Sequence, residues 1–129
     1  MKVYLSLPIT GYDEMARRNY ASRTCGMLTF EHEGWEVVNP FVVGDRLRKK
    51  RLEDGDFSIP SYDEYMREDL RVLSQCEMVV FCPGWHISDG CREEMRECWW
   101  RGIEVAFLSE DGKVFYNNNN NVYERRQQQ

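Results

Sequence analysis

The regular alternation of short apolar runs with helical patterns constrains the fold of this chain more than any other feature of the sequence. The clearest run is CEMVVFCP at 76–83, which is apolar on both faces, as in a strand buried at the centre of a sheet. Similar short runs have the composition of strands, and the segments between them repeat apolar residues every three or four positions. The predicted strands are 2–8, 35–40, 76–83 and 103–109, and the predicted helices are 13–33, 61–75 and 89–102.

Strands joined by helical crossovers run parallel, and the crossover helices cover both faces of the sheet. The sequence therefore predicts an α/β domain of three layers with a parallel sheet of four to five strands. The segment 41–61 is predicted to be irregular, and its basic run RLRKKR at 46–51 is either a lid over a phosphate or a solvated loop. We predict one domain at 1–112, followed by an Asn- and Gln-rich low-complexity tail at 113–129, in which 113–116 would form the fifth strand.

The charge balance and the cysteine pattern limit the classes of partner and compartment. The formal net charge of −5 disfavours binding to a nucleic-acid polymer or to an anionic membrane surface. No signal pattern and no apolar run of about 20 residues is present, so we expect no membrane association. The five cysteines are odd in number and lack a C-x-x-C pair, which indicates reduced thiols in a cytoplasmic protein. The two histidines stand alone, so we expect neither a metal nor another cofactor.

Two predicted helices each carry an acidic residue on the apolar stripe that should face the sheet. Asp69 follows Met66 by three positions and precedes Leu73 by four, and Glu94 lies on the stripe of the helix after the central strand. A desolvated carboxylate costs several kcal/mol unless it is paired or hydrogen-bonded. Either acid alone could reach solvent or pair with an arginine. Together, near the carboxyl ends of strands, they are candidates for a nucleophile and an acid or base.

Two turns at the carboxyl ends of the predicted strands are candidate ligand contacts, because ligands bind there in parallel sheets. SDG at 88–90 leads into a helix N-terminus, where unpaired N–H groups favour anions, and Gly90 would let a ligand approach the backbone. The alternative is an ordinary helix-entry turn with Ser88 or Asp89 as the N-cap, and the two interpretations are compatible. Thr10 and Gly11, after the first strand, form a second turn that could bind a phosphate.

Four sequence segments together are similar to a known family. They are VYLSLPITG at 3–11, NP at 39–40, YMREDLRVLSQCEMVVFCPGW at 65–85 and SDGCREE at 88–94, and they span about the first 108 residues. The chain resembles the nucleoside 2-deoxyribosyltransferase-like family, which includes deoxynucleoside 5′-monophosphate N-hydrolases and an uncharacterised phage and bacterial branch. The resemblance implies a flavodoxin/Rossmann-like fold and the cleavage of a nucleoside N-glycosidic bond.

The resemblance also implies roles for individual residues. Glu94 matches the nucleophile that forms a glycosyl-enzyme ester, and Asp69 matches the acid that orients the sugar and handles protons. Tyr4 matches an aromatic residue of the pocket. The remaining substrate-binding candidates on the matched turns are Pro8, Thr10, Gly11, Ser88 and Gly90.

Two residues depart from the family pattern at the exit of the first strand. Leu7 stands where many relatives have glycine, which narrows the space for a phosphate. Thr10 stands where the monophosphate hydrolases have a phosphate-binding arginine. We therefore expect any phosphate to be bound by main-chain N–H groups and hydroxyls, with basic help from the loop that contains Arg46, Arg48 and Lys49.

Three functions remain compatible with the sequence. The leading hypothesis is an enzyme that hydrolyses or transfers at the N-glycosidic bond of a nucleoside or its 5′-monophosphate. The alternatives are a non-catalytic nucleotide-binding or sensing module and a small structural protein. Trp99 and Trp100 cannot both face the core of one helix, so we also expect a homodimer or a higher homo-oligomer.

Overall fold

The computed structural model describes residues 1–116, which form a five-stranded sheet with helices on both faces. The strands lie in the order β2-β1-β3-β4-β5, and the first four of these are parallel. This order is that of flavodoxin-like folds, so the predicted α/β fold class is confirmed. The strands are β1 (Lys2–Ser6), β2 (Glu36–Val38), β3 (Met78–Phe81), β4 (Glu104–Leu108) and β5 (Val114–Tyr116).

The fifth strand gives the sheet one antiparallel edge. β5 pairs antiparallel with β4, whereas the sequence analysis predicted a parallel sheet. The connection between Leu108 and Val114 is too short for the crossover that a parallel pair requires. Instead Ser109 N–H donates to the Lys113 carbonyl oxygen at 2.8 Å, which closes a hairpin. The predicted low-complexity tail lies outside the described residues from position 117 onward.

The helices begin at hydrogen-bonded caps. They are α1 (Glu14–Glu31), α2 (Pro40–Glu53), α3 (Tyr62–Leu73) and α4 (Asp89–Arg101), with a short 3₁₀ turn at Trp85–Ile87 before α4. Ser61 and Glu64 form the reciprocal capping box predicted for α3. Ser88 caps α4 at its start, and Gly102 ends it with a left-handed φ of +71°. These local signals explain why three of the four helices were predicted close to their observed positions.

Helix α2 contradicts the prediction that 41–61 is irregular. Asn39 Oδ1 accepts a hydrogen bond from Phe41 N–H at 2.9 Å, and Pro40 occupies the first turn, where it needs no hydrogen-bond acceptor. The sequence analysis took this Asn-Pro pair only as the end of a strand, but it also begins a helix. The helix escaped detection because Pro40 and Val43 are its only buried residues, so it has almost no apolar stripe.

The sheet separates two apolar layers, and strand alternation decides which residues enter each. Val3 and Leu5 of β1 pack with α1 on one face, whereas Tyr4 and Ser6 point to the opposite face, where α3 and α4 lie. The site residues of β1 therefore face α4. Within residues 1–116, no helix has the length and apolar character needed to cross a membrane.

Candidate active site

A cavity lies at the edge of the sheet where the connections after two neighbouring strands turn to opposite faces. β1 and β3 are neighbours, but β1 is followed by α1 on one face and β3 by α4 on the other. Ligands bind at such topological switch points in open α/β sheets. The cavity has a volume of about 270 Å³, and β1, α1, α2, α3 and α4 all contribute to its wall.

Glu94 is the central polar residue of this cavity. It lies in the second turn of α4 with only 5% of its surface exposed. Tyr4 donates a hydrogen bond from its phenol to Glu94 Oε2 at 2.7 Å, and Ser6 donates from its hydroxyl to Oε1 at 2.6 Å. Each carboxylate oxygen therefore has one donor, which offsets part of the cost of burying the charge.

The environment of Glu94 brings its ionisation into the neutral range. Burial raises the pKa of Glu94 to about 7, while the hydrogen bonds from Ser6 and Tyr4 oppose this rise because they favour the ionised carboxylate. Burial, and then the negative charge of Glu94, raise the pKa of the Tyr4 phenol well above its usual value. Tyr4 therefore remains a hydrogen-bond donor at neutral pH.

Asp69, on α3, opens onto the same cavity. Burial, together with the negative charge of Glu94, raises the pKa of Asp69 to about 8. No hydroxyl or N–H group of residues 1–116 donates to its carboxylate within hydrogen-bond distance. Asp69 therefore keeps its proton to a higher pH than Glu94, and between about pH 7 and 8 the pair holds one proton preferentially on Asp69. Such a division between two carboxyl groups is the arrangement that suits one nucleophile and one acid.

The two predicted turns contribute differently to the cavity. Ser88, Gly90 and Thr10 line its wall, as do Tyr4, Asp69 and Glu94 among the predicted site residues. Pro8 and Gly11 lie in the β1 exit turn outside that wall, and their roles in binding stay predictions. Ser88 also serves as the N-cap of α4, accepting from Cys91 N–H at 3.3 Å, so both interpretations of the SDG turn apply.

Gly90 lies in the cavity wall, and neither its backbone conformation nor its neighbours would exclude a side chain at this position. A Cβ at this position would meet Tyr62 Oη at 3.5 Å and Met66 Sδ at 3.7 Å, which are ordinary contacts. Its backbone does not adopt a left-handed φ. The absence of a side chain therefore leaves space on the cavity side.

The family match covers every residue of this wall. The family model described as "Domain of unknown function (DUF4406)" matches residues 1–107. The chain belongs to the DUF4406 family. No curated protein matches the sequence.

In this DUF4406 domain the unpredicted helix α2 brings further residues to the cavity. Phe41, Asp45 and Arg48 line it from α2, and Arg18 lines it from α1. Arg18 donates to both Asp45 carboxylate oxygens at 2.9 Å and lies over the Phe41 ring at 4.7 Å. The paired carboxylate of Asp45 raises the pKa of Arg18, so this cation stays charged and holds α1 against α2.

Arg48 differs from Arg18 in its partners. Arg48 lines the cavity, and within residues 1–116 no carboxylate lies within ion-pair distance of it. It belongs to the basic run 46–51, so the sequence analysis considered it only as part of a loop. Its place in the wall depends on the helical conformation of α2, which the sequence pattern did not indicate.

Ser6 is another site residue that the sequence analysis did not predict, and it contacts the predicted Glu94. Strand alternation was a signal that could have found it, because Ser6 lies two positions after Tyr4 and so shares its face. Among residues 1–116, no group of three or more histidine, cysteine or acidic side chains is arranged to hold a metal ion.

Proposed function

We propose that this protein cleaves, or transfers at, the N-glycosidic bond of a (deoxy)nucleoside or its 5′-monophosphate through a covalent glycosyl–Glu94 intermediate. The proposal rests on one observation above the others. A buried carboxylate with two hydroxyl donors opens onto the same cavity as a second carboxyl group that has none. The resemblance to the nucleoside 2-deoxyribosyltransferase-like family supports the same chemistry.

In the first step the ionised Glu94 attacks the anomeric carbon of the sugar. A C–O bond forms as the C–N bond breaks, and the electron pair of the C–N bond leaves with the base. The protonated Asp69 supplies the proton that neutralises the departing base. Tyr4 and Ser6 hold the carboxylate in one orientation before the reaction, so little conformational entropy is lost when one of its oxygens attacks.

In the second step a hydroxyl of water, or a nitrogen of a second base, attacks the same carbon from the side the first base left. The ester C–O bond breaks, and Glu94 departs as a carboxylate stabilised again by its two donors. Asp69, now ionised, accepts the proton of the attacking water or base. Two displacements give retention at the anomeric carbon, as in covalent glycoside hydrolysis.

The rest of the cavity wall fits a nucleoside in polarity and size. Phe41, Tyr62 and Tyr65 present aromatic rings on which a base could stack, and the cavity volume of about 270 Å³ suits one small molecule. Arg48 is the cation we assign to a 5′-phosphate. This differs from phosphate binding by neutral groups alone, because a guanidinium makes charge-assisted hydrogen bonds to phosphate oxygens.

The test is release of free base from a panel of nucleosides and 5′-monophosphates, followed by chromatography. We expect Glu94→Gln to lower base release by at least about 1,000-fold, because it removes the nucleophile but keeps the side-chain shape. Glu31→Gln is the control, since it makes the same change at an exposed position of α1 that does not line the cavity. Near-normal release by folded Glu94→Gln protein would contradict the mechanism.

A non-catalytic nucleotide-binding or sensing module is the second candidate. Leu7, buried and lining the cavity where many relatives have glycine, favours it because the leucine reduces the space for a phosphate. This candidate would be supported if the wild-type protein bound a nucleotide in calorimetric titration and released no base from any member of the panel.

We also propose that the protein forms a homodimer through the outer face of α3 and α4. A groove there is lined by Leu70, Met95, Trp99 and Trp100, and Trp100 is 87% exposed. Aromatic residues are enriched at the cores of interfaces. Glu93, Arg96 and Glu97 flank the groove with both signs of charge, so a two-fold axis can place acidic groups of one copy opposite the basic group of the other.

A further inference from the structure

Ser6 is a polar residue at a position where the fold would otherwise favour an apolar one. It is the last residue of β1, it is paired in register with Phe81 of β3, and only 1% of its surface is exposed. A buried hydroxyl without a hydrogen bond costs on the order of 1–3 kcal/mol. A serine in this place therefore has a specific partner to satisfy, and that partner is Glu94.

The contact between Ser6 and Glu94 complements the contact from Tyr4. Ser6 donates to Oε1 at 2.6 Å and Tyr4 donates to Oε2 at 2.7 Å. With one donor on each oxygen, the plane of the carboxylate is held from both ends. A single donor would leave the group free to rotate about its last bond, so the second donor removes that freedom.

A neighbouring thiol also lies close to the Ser6 hydroxyl. Cys91, one turn before Glu94 on α4, lies within hydrogen-bond reach of the Ser6 hydroxyl. Burial raises the pKa of the Cys91 thiol to about 11, so it keeps its S–H at neutral pH. The S–H can donate to Ser6 Oγ, which leaves the hydroxyl proton for the carboxylate.

We propose that Ser6 is a positioning residue that fixes the orientation of the Glu94 carboxylate and keeps it, rather than Asp69, in the ionised form. The part of this inference that concerns turnover rests on the proposed glycosidic reaction. The part that concerns ionisation does not, because the hydrogen bond exists in the free protein. Two donors act on Glu94 and none of residues 1–116 acts on Asp69, so loss of one donor should shift the shared proton toward Glu94.

Several other charged or titratable groups lie around Glu94, and a test of Ser6 must leave these groups unchanged. Asp69 and Tyr62 face it from α3, Tyr4 from β1, and acidic and thiol groups from α4. The charged and titratable groups around the carboxylate and its cavity are Tyr4, Glu14, Arg18, Asp45, Arg48, Tyr62, Asp69, Cys91, Glu93 and Cys98. Replacing Ser6 leaves all of these residues in place, and among them only Cys91 loses a contact with the Ser6 hydroxyl.

The direct test is an NMR titration of the Glu94 side-chain carboxyl carbon, assigned by its absence in Glu94→Gln. We expect Ser6→Ala to move the midpoint upward by about one pH unit, since a hydrogen bond to a charged group is lost. Ser6→Cys, with a weaker donor of similar size, should give a smaller upward shift and serves as the test if the alanine protein does not fold. Thr24→Val is the matched control, because Thr24 is also a buried hydroxyl but belongs to α1.

The kinetic test uses base release by the same variants. We expect Ser6→Ala to lower kcat about 10-fold with little change in KM, and to move the acidic limb of the pH profile upward. An NMR midpoint equal to that of the wild type in a folded variant would overturn the inference. So would a shifted midpoint with unchanged kcat at a pH above both midpoints, because positioning would then not matter. If the wild type releases no base, the proposed reaction fails while the titration still decides the ionisation role of Ser6.

Discussion

Replacing Asp69 with asparagine should stabilise the protein, and the gain should grow with pH. Burial and the charge of Glu94 raise the pKa of Asp69 from 3.8 to about 8. The folded state therefore binds a proton at Asp69 that the unfolded state has already released, so stability falls as pH rises from about 4 to about 8. Asparagine does not titrate, so the free energy of unfolding of the Asp69→Asn variant does not fall for this reason as pH rises.

The magnitude follows from the size of the shift. A difference of about four pKa units corresponds to roughly 5–6 kcal/mol for a carboxyl group fully removed from water. Asp69 is only partly buried and opens onto the cavity, so solvent screening reduces the effect, and we expect about 3 kcal/mol at pH 8. Near pH 4 the two proteins should differ by less than about 0.5 kcal/mol.

Urea unfolding at a series of pH values measures this difference. Asp63→Asn is the matched control, because it makes the same change at an exposed position in the first turn of α3. It should not give a stability gain that rises between pH 4 and 8. A difference between Asp69→Asn and the wild type that is flat with pH, or that falls as pH rises, would refute the burial argument for Asp69.

Two further predictions concern the cavity mouth and the outer helices. In a Glu94→Gln background, calorimetric titration should show that the protein binds a monophosphate about 10-fold more tightly than its nucleoside. Arg48→Ala should abolish this preference, whereas Arg46→Ala should preserve it. An unchanged preference in the Arg48→Ala protein would show that Arg48 does not bind the phosphate. By light scattering at micromolar concentration, the wild type should be a dimer and Trp100→Ala a monomer. Phe30→Ala, which removes a similarly exposed aromatic residue on α1, should remain a dimer. A monomeric wild type would contradict the proposed dimer.

Local sequence signals predicted the strands, three helices and the positions of the two acids. The caps at Ser61 and Ser88 involve groups three residues apart, so they can be read from the sequence without knowledge of the fold. The spacing of Asp69 and Glu94 within apolar stripes placed both on inward helix faces for the same reason. Pairs so close in sequence depend little on the rest of the chain.

Helix α2 was missed because contacts distant in sequence hold it in place. Arg18 of α1 binds Asp45, which lies 27 residues later, and Gly44 allows the Tyr65 ring of α3 to approach within 3.3 Å of the position of a Cβ. Neither contact leaves an apolar periodicity within α2. As a result, the contribution of Phe41 to the cavity wall was not predicted, and Arg48 was expected to help bind a phosphate from a loop rather than from a helix.

Periodicity in the sequence predicted that two carboxyl groups would face inward from the helices before and after a central strand. The difference between the two groups arises from contacts that exist only in the folded protein. Tyr4 and Ser6 reach Glu94 across separations of 90 and 88 residues, and no hydroxyl of residues 1–116 reaches Asp69. Periodicity specifies which face of an element a side chain occupies, but the hydrogen bonds that set its ionisation come from elements that meet only when the chain has folded.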